Sequence, residues 1–507
     1  MQNNILNKFV LSASLIAATF AVGCSVGKAP VEPTGNTVQN GSLVWYVSAT
    51  KGSTYGDGTT LATSFLTLQQ AEAVALAGDT VEVDSGTYTN NGGPVLDITV
   101  PGSAAGGYIT WEPIPGATPV IQIGADAYGA VQFEQTSGYT IFKGFTVLGY
   151  NKSLSLAEGV ACQGSNGVQT QCIQNNGGCI SINGSTSPTS TQQSAGFYVP
   201  NHIQILNNTV AYCGGGIGAS GADYLTFSGN TVYDNAWYSI YGSSAFSMLG
   251  SYNSNPSDTT TQYKMQIINN TIYGNAEFIP WIAQGIITDG EAIILDSNLN
   301  TSYVGSGITY PAYTGRFLIA NNVIWNDGSG AVEVFESAHA DVVNNSTFND
   351  NLNQMSEAGR GELSISGGSY DLNVFNNIFS SSNGGKATPV AVFSSCTPCN
   401  FDYNDYYGGL PNNWGGFGTN GPHDLTVNPM YTSTSVPTLS GPGIGTSSYQ
   451  PTDVINAPLD NLQLLTGSPL IGAGSATFNG VTAPNKDIQG NMRPSAAHGV
   501  SMGAYAP

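Results

Sequence analysis

The chain has 507 residues and a formal net charge of −21 at pH 7, from 11 Lys and Arg against 32 Asp and Glu. Only 8% of its residues are charged, against about 25% in an ordinary globular protein, so no basic stripe for nucleic acid can be assembled. Val, Ile, Leu, Tyr and Phe recur too often for charge-driven disorder, and past the amino terminus no apolar run approaches the roughly 20 residues that span a bilayer.

Met1 to Gly23 reads as a secretory signal: a polar start with Lys8, then the apolar stretch Phe9 to Phe20. Ala21-Val22-Gly23-Cys24 resembles the bacterial lipoprotein cleavage site, in which the cysteine is lipidated; a soluble export signal is the alternative. Ser25 after the cysteine favours the outer membrane by the same resemblance. Residues 24–42 are the expected anchor cysteine and flexible tether, with Pro30, Pro33 and several Gly, Ser, Thr and Asn. Export places Cys162, Cys172, Cys179, Cys213, Cys396 and Cys399 in an oxidising compartment, where they can form up to three disulfides. Cys396-Thr-Pro-Cys399 has zinc or redox spacing without a companion pair, so a loop-stapling disulfide is expected.

Residues 43–125 read as an N-terminal cap and first coils. Thr67-Leu-Gln-Gln70 is a capping box opening a short helix that Gly78 ends. Within 126–430 a phrase recurs: Asn207-Asn208-Thr-Val, Gly229-Asn230-Thr-Val, Asn269-Asn270-Thr-Ile, Asn321-Asn322-Val-Ile, Asn344-Asn345-Ser-Thr and Asn376-Asn377-Ile-Phe. Its second Asn returns after 22, 40, 52, 23 and 32 residues. Short alternating strands lie between the phrases. A unit this short cannot bury its apolar face alone, and stacking on its neighbours makes the core. Asn tolerates the left-handed turn, and its amide can bond to the same Asn one coil away. The pattern predicts an all-β chain folded as a parallel β-helix with a short N-terminal capping helix. A sandwich or propeller would need hairpin signals and regular blade periods that are absent. Residues 431–507 read as C-terminal coils and cap, with Gly467-Ser-Pro-Leu-Ile-Gly-Ala-Gly474, Gly490-Asn-Met-Arg-Pro494 and Met502-Gly-Ala-Tyr505.

These repeats, the entry Trp45-Tyr-Val-Ser48 with Gly56-Asp-Gly-Thr59, and the closing motifs resemble the right-handed parallel β-helix, or pectate-lyase-like, superfamily over roughly residues 43 to 507. The resemblance implies a right-handed solenoid and a surface enzyme acting on polysaccharide.

Aligning the strands predicts one inward column of Ile180, Ile217, Ile240, Ile293, Val332 and Leu363, and an outward column of Ser181, Gly218, Tyr241, Ile294, Glu333 and Ser364. Asp296 and Glu362 flank the outward column, each roughly 8 Å from Glu333 at the backbone. Asp289 and Glu291 enter the same region. Carboxylates converging in adjacent coils can hold a cation or act as acid and base on a glycosidic bond. Arg360 leads into Glu362, and its plain role is to pair with one of these carboxylates; His339 follows Glu333 closely. Trp237, Tyr238, Tyr241, Trp281, Trp325 and Phe335 lie on or near these coils, and aromatic faces suit the apolar faces of sugars.

The first expectation is a polysaccharide lyase on a uronate-containing glycan. The resemblance implies a Lys or Arg base, here Arg360 and secondarily Lys264, with Ca2+ held by Asp289, Glu291 and Asp296. The alternatives are a glycoside hydrolase using Glu333 with Asp296 or Glu362, and a non-catalytic glycan-binding or adhesion surface. The expected partners are a polysaccharide and, through Cys24 alone, a membrane; a monomer is expected.

Overall fold

The computed structural model describes residues 42–164, 172–184, 199–255, 257–258, 260–300, 311–352, 360–382, 387–436, 459–494 and 499–506. The signal, Cys24 and most of the tether lie outside them.

Each repeat is built from three short strands whose alternate residues are apolar. Asn201–Leu206 is followed, after Asn207 and Asn208, by Thr209–Ala211 and then by Gly215–Ser220. The chain then returns at Asp223–Ser228, which pairs in parallel with the first strand, Ile203 opposite Leu225. Repetition gives three parallel sheets of eleven, ten and nine strands. We number them in the order the chain enters them: the first begins with Val44–Val47, the second with Gly86–Tyr88, the third with Leu96–Ile98. The architecture is a right-handed parallel β-helix.

The apolar residues of the three sheets meet inside. Val210, Val232, Ile272 and Ile324 from the second sheet are fully buried, as are Ile217, Phe246, Ile293 and Val332 from the third. The third-sheet register runs Ile180, Ile217, Phe246, Ile293, Val332, Leu363, Val390. Phe246 therefore holds the place expected for Ile240. The strand of that coil is Phe246–Leu249, and residues 236–243 form a loop outside the solenoid.

The corner between the first and second sheets explains the repeated Asn-Asn. The first residue of each pair is left-handed, with φ of 55° at Asn207, 58° at Asn269 and 56° at Asn321, a conformation Asn tolerates better than most residues. The second points inward and donates from Nδ2 to the Oδ1 of its counterpart in the next coil. The ladder runs from Asn208 to Asn230 (3.1 Å), Asn270 (3.1 Å), Asn322 (3.0 Å), Asn345 (2.9 Å), Asn377 (2.9 Å) and Asn404 (3.0 Å).

A second ladder occupies the corner between the second and third sheets. Asn235 donates to Asn275 at 2.9 Å and Asn275 to Asp327 at 2.8 Å. The backbone N–H of Asp327 then donates to Asp350, and that of Asp350 to Glu362. Amides thus give way to three buried carboxyl groups, and burial pushes Asp327 and Asp350 well above the usual carboxylate range.

The helix Leu68–Glu72 closes the amino-terminal end. Thr67 and Gln70 form the reciprocal capping box, and Leu68 and Ala71 are buried against the first coils. At the other end, the described part of the C-terminal segment lies along the outside of the solenoid. Phe478 and Val481 pack with Ala320, Val343 and Phe375 of the first sheet, and Leu462 and Ala504 cover Trp325 and Phe348 of the second. Left-handed Asn residues of the corner bind this segment: Asn321 donates to Lys486 O and Asn376 to Ser475 O. The six cysteines pair as Cys162–Cys172, Cys179–Cys213 and Cys396–Cys399.

Candidate active site on the third sheet

On the outer face of the third sheet Glu333 stands opposite Ile294 and Ser364, and Asp296 opposite Phe335, which is opposite Ser366. Glu333 and Asp296 are thus one coil and two residues apart, roughly 8 Å at the backbone. The loops that lead from the second sheet to the third rise along one edge of this face and bring Asp289, Glu291 and Arg360 to it.

Arg360 organises the charges. Its Nη1 donates to Glu291 Oε1 and, at 2.5 Å, to Glu333 Oε2. Glu291 is fully buried and its second oxygen accepts from Ser244 Oγ at 2.8 Å. Glu333, 4% exposed, also accepts from Ser366 Oγ at 3.2 Å. Glu277, fully buried behind the site, accepts from the Ser243 N–H at 2.9 Å. Glu291 and Glu333 thus share one guanidinium, Asp289 feels its charge, and Glu277 and Asp296 lie near these carboxyl groups without it; so many carboxyl groups cannot all ionise around one cation out of water. Burial raises Glu277, Asp289 and Glu291 above the usual carboxylate range, opposed at Asp289 and Glu291 by the charge of Arg360. Asp296 lacks that cation. Burial, then the charges of Asp289, Glu333 and Glu336, lifts it to about 7 against a hydrogen bond from Ser297 Oγ.

Several expected site residues sit elsewhere. Glu362 is not on the outer face: it turns into the corner and accepts from Thr347 Oγ1 at 2.8 Å and Ser381 Oγ at 3.1 Å, because Gly361 opens its strand at the bend. His339 belongs to the first sheet, where its Nδ1 lies 2.6 Å from Asp371 Oδ2. Trp237 is buried, its indole N–H donating to Gly274 O at 3.0 Å, and with Tyr238 and Phe278 it forms a small core outside the solenoid. Tyr241 lies in the loop of that core, half-buried, and Ser247 takes its expected place beside Gly218. Trp281 is in the loop 276–291, half-buried; Phe335 stands on the site face, beside Asp296. Trp325 stacks on Tyr273 in the second sheet.

The two expected bases are already engaged. Arg360 is gripped by two carboxylates, which favour its charged form, and an arginine does not give up its proton in a protein. Lys264 is buried in an ion pair with Asp223 at 2.8 Å. Asp289, Glu291 and Asp296 do not fit a shared Ca2+: both Glu291 oxygens are taken, by Arg360 and Ser244, and Arg360 stands where a cation would bind. Among the described residues no three His, Cys, Asp or Glu side chains come together as a metal cage.

Sequence reasoning did not find Glu277 or Ser366. Glu277 follows Asn275, a rung of the second ladder, by two residues; recognising that ladder would have placed it beside Glu291. Ser366 was legible as the residue two beyond Ser364 on the same face.

No family model matches the chain, and no curated protein sequence matches it. Solved structures do. The pectate lyase Pel9A aligns over 92% of this chain and 98% of its own, at 13% identity and a TM-score of 0.44. XylC in complex with xylose aligns over 92% and 98%, at 12% identity and a TM-score of 0.41. The GH136 lacto-N-biosidase from Eubacterium ramulus aligns over 73% and 60%, at 12% identity and a TM-score of 0.34. At these identities the likeness concerns the course of the backbone alone.

Proposed function

We propose that the outer face of the third sheet is the active site of a glycoside hydrolase, with Asp296 as general acid and Glu333 as the second carboxyl group, acting as base or nucleophile. One observation carries this reading: two carboxyl groups on one face lie in opposite environments. Glu333 is ion-paired with Arg360, whereas Asp296 has no cation beside it, and burial and neighbouring charge hold its proton to about pH 7. A proton donor and an anion flanking one bond are what glycoside hydrolysis needs. The lyase alternative requires a Lys or Arg that can shed its own proton to act as base, and Arg360 and Lys264 are both held as cations in ion pairs.

The substrate favoured by this face is a neutral glycan. A net charge of −21 and a carboxylate-lined site repel polyuronate at low salt, although screening limits this beyond about 10 Å at 0.1 M. The test is a panel of neutral and uronate glycans assayed for new reducing ends and for unsaturated ends. Reducing ends without unsaturation, lost in Glu333→Gln, support the reading; unsaturated products refute it. We further propose that the enzyme is exported and held at the outer membrane by lipid on Cys24. Cys24→Ala is then expected in the soluble fraction, and unchanged membrane association would refute the anchor.

A further inference from the structure

At the carboxyl-terminal end of the solenoid a recess of about 530 Å³ opens beside the third sheet, lined by Tyr406, Leu410, Asn412, Trp414, Thr419 and Asn420 among others. It reaches the third sheet through Pro389, at the edge where the loops from the second sheet arrive. Strand Thr388–Val392 is two coils beyond Val332–Phe335, and Asn413 bridges to Ala391 one coil further. At about 4.8 Å per coil the recess begins some 10–14 Å from Glu333 along the stack, a span that a few sugar units cover.

Its chemistry is neutral and two-sided. The lining residues include amides, hydroxyls and aromatic rings, and none of them carries a charge. The Asn412 Nδ2 to Asn420 Oδ1 contact is long, 3.4 Å, so these amides keep hydrogen-bonding capacity for a ligand. Trp414 is half-buried and braced edge-to-face by Phe401 and Tyr406, with ring centroids 5.1 and 5.9 Å away. Leu410, in the lining, and Phe417 nearby are 47% and 45% exposed. A sugar ring presents the matching pair of surfaces, an apolar face and a rim of hydroxyls.

We propose that this recess is a distal subsite for a neutral sugar unit of the same glycan chain that crosses the Asp296–Glu333 pair. The proposal rests on the hydrolase reading for its substrate, but not for the existence of the subsite. It predicts that the protein prefers chains long enough to reach both places.

The test is equilibrium binding of linear neutral trisaccharides and hexasaccharides (β-1,4-linked xylose, glucose and galactose) to the Glu333→Gln protein, which removes turnover. The hexasaccharide of at least one series is expected to bind more tightly than its trisaccharide. Adding Asn412→Ala or Asn420→Ala should reduce hexasaccharide affinity several-fold, and Trp414→Ala about tenfold, with no comparable change for the trisaccharide. Because Trp414 packs on Phe401 and Tyr406, its variant is checked by thermal melting, and the two Asn variants decide the matter if it fails to fold. Equal affinity for both lengths, unchanged hexasaccharide affinity in the variants, or no binding at all would overturn the subsite. If the unmutated enzyme hydrolyses none of these glycans while the variants still lose hexasaccharide affinity, the hydrolase reading falls and the subsite stands. If hydrolysis is seen and the variants bind normally, the subsite alone falls.

Discussion

Glu333 and Asp296 are both carboxylic acids on one sheet face, and their neighbours make them differ. Arg360 bridges Glu333 to Glu291; Asp296 has a hydroxyl from Ser297 and other carboxylates nearby. The direction of the effect can be measured. Asp296 must carry its proton to act as acid, so kcat/KM should fall as pH rises through about 7, and Asp296→Asn should abolish that limb with a loss of about 10²–10⁴-fold. A profile flat between pH 6 and 8 would remove Asp296 from the role. Arg360→Ala should leave Glu291 and Glu333 buried without their cation. The expected result is lost turnover together with a destabilisation of about 3–5 kcal/mol, read by denaturant unfolding.

The strands and corners show what the sequence made legible. The Asn-Asn phrase disclosed the first ladder because its physical cause is local: a left-handed residue, then an amide that meets its own copy one coil away. The columns through Ile293, Val332 and Leu363 were equally legible, since alternation fixes the faces. Ile240 was misplaced because Ser239-Ile-Tyr241 alternates as a strand does, yet Trp237, Tyr238 and Ile240 pack in a core outside the solenoid. Glu362 was misplaced because alternation says nothing about a bend at Gly361. The second ladder escaped because its rungs change from Asn235 and Asn275 to Asp327 and Asp350. Two substitutions separate the ladders. Asn322→Ala removes a donor and an acceptor from neighbours that stay buried and should cost about 1–3 kcal/mol for each group left unpaired. Asp327→Asn restores the amide of the earlier rungs to a position where the carboxyl is held well above its usual range. It should therefore stabilise the fold above neutral pH; a loss of stability at pH 8 would contradict the ladder description.

For the whole molecule, stacking hides carboxyl groups along the entire solenoid, not only at the site. Glu72, Asp234 and Asp405 are buried and pushed up to about 7, burial being the leading cause at each. In the unfolded chain such groups titrate near 4. Between about pH 4 and 7 the folded state therefore binds more protons than the unfolded one, and stability falls as pH rises through that window. Self-repulsion of the acidic chain acts in the same direction. The melting temperature should be higher at pH 5 than at pH 8 by several degrees; the reverse order would show that these carboxylates ionise freely in the folded state.

The measurement that bears most directly on the account is product analysis of neutral glycans by the unmutated protein beside Glu333→Gln, with both proteins shown to melt alike. The account predicts new reducing ends, no unsaturated ends, insensitivity to chelators, and loss of activity by about 10²-fold or more in Glu333→Gln. Chelator-sensitive release of unsaturated ends, or full activity in Glu333→Gln, would contradict it and place the chemistry elsewhere on the solenoid.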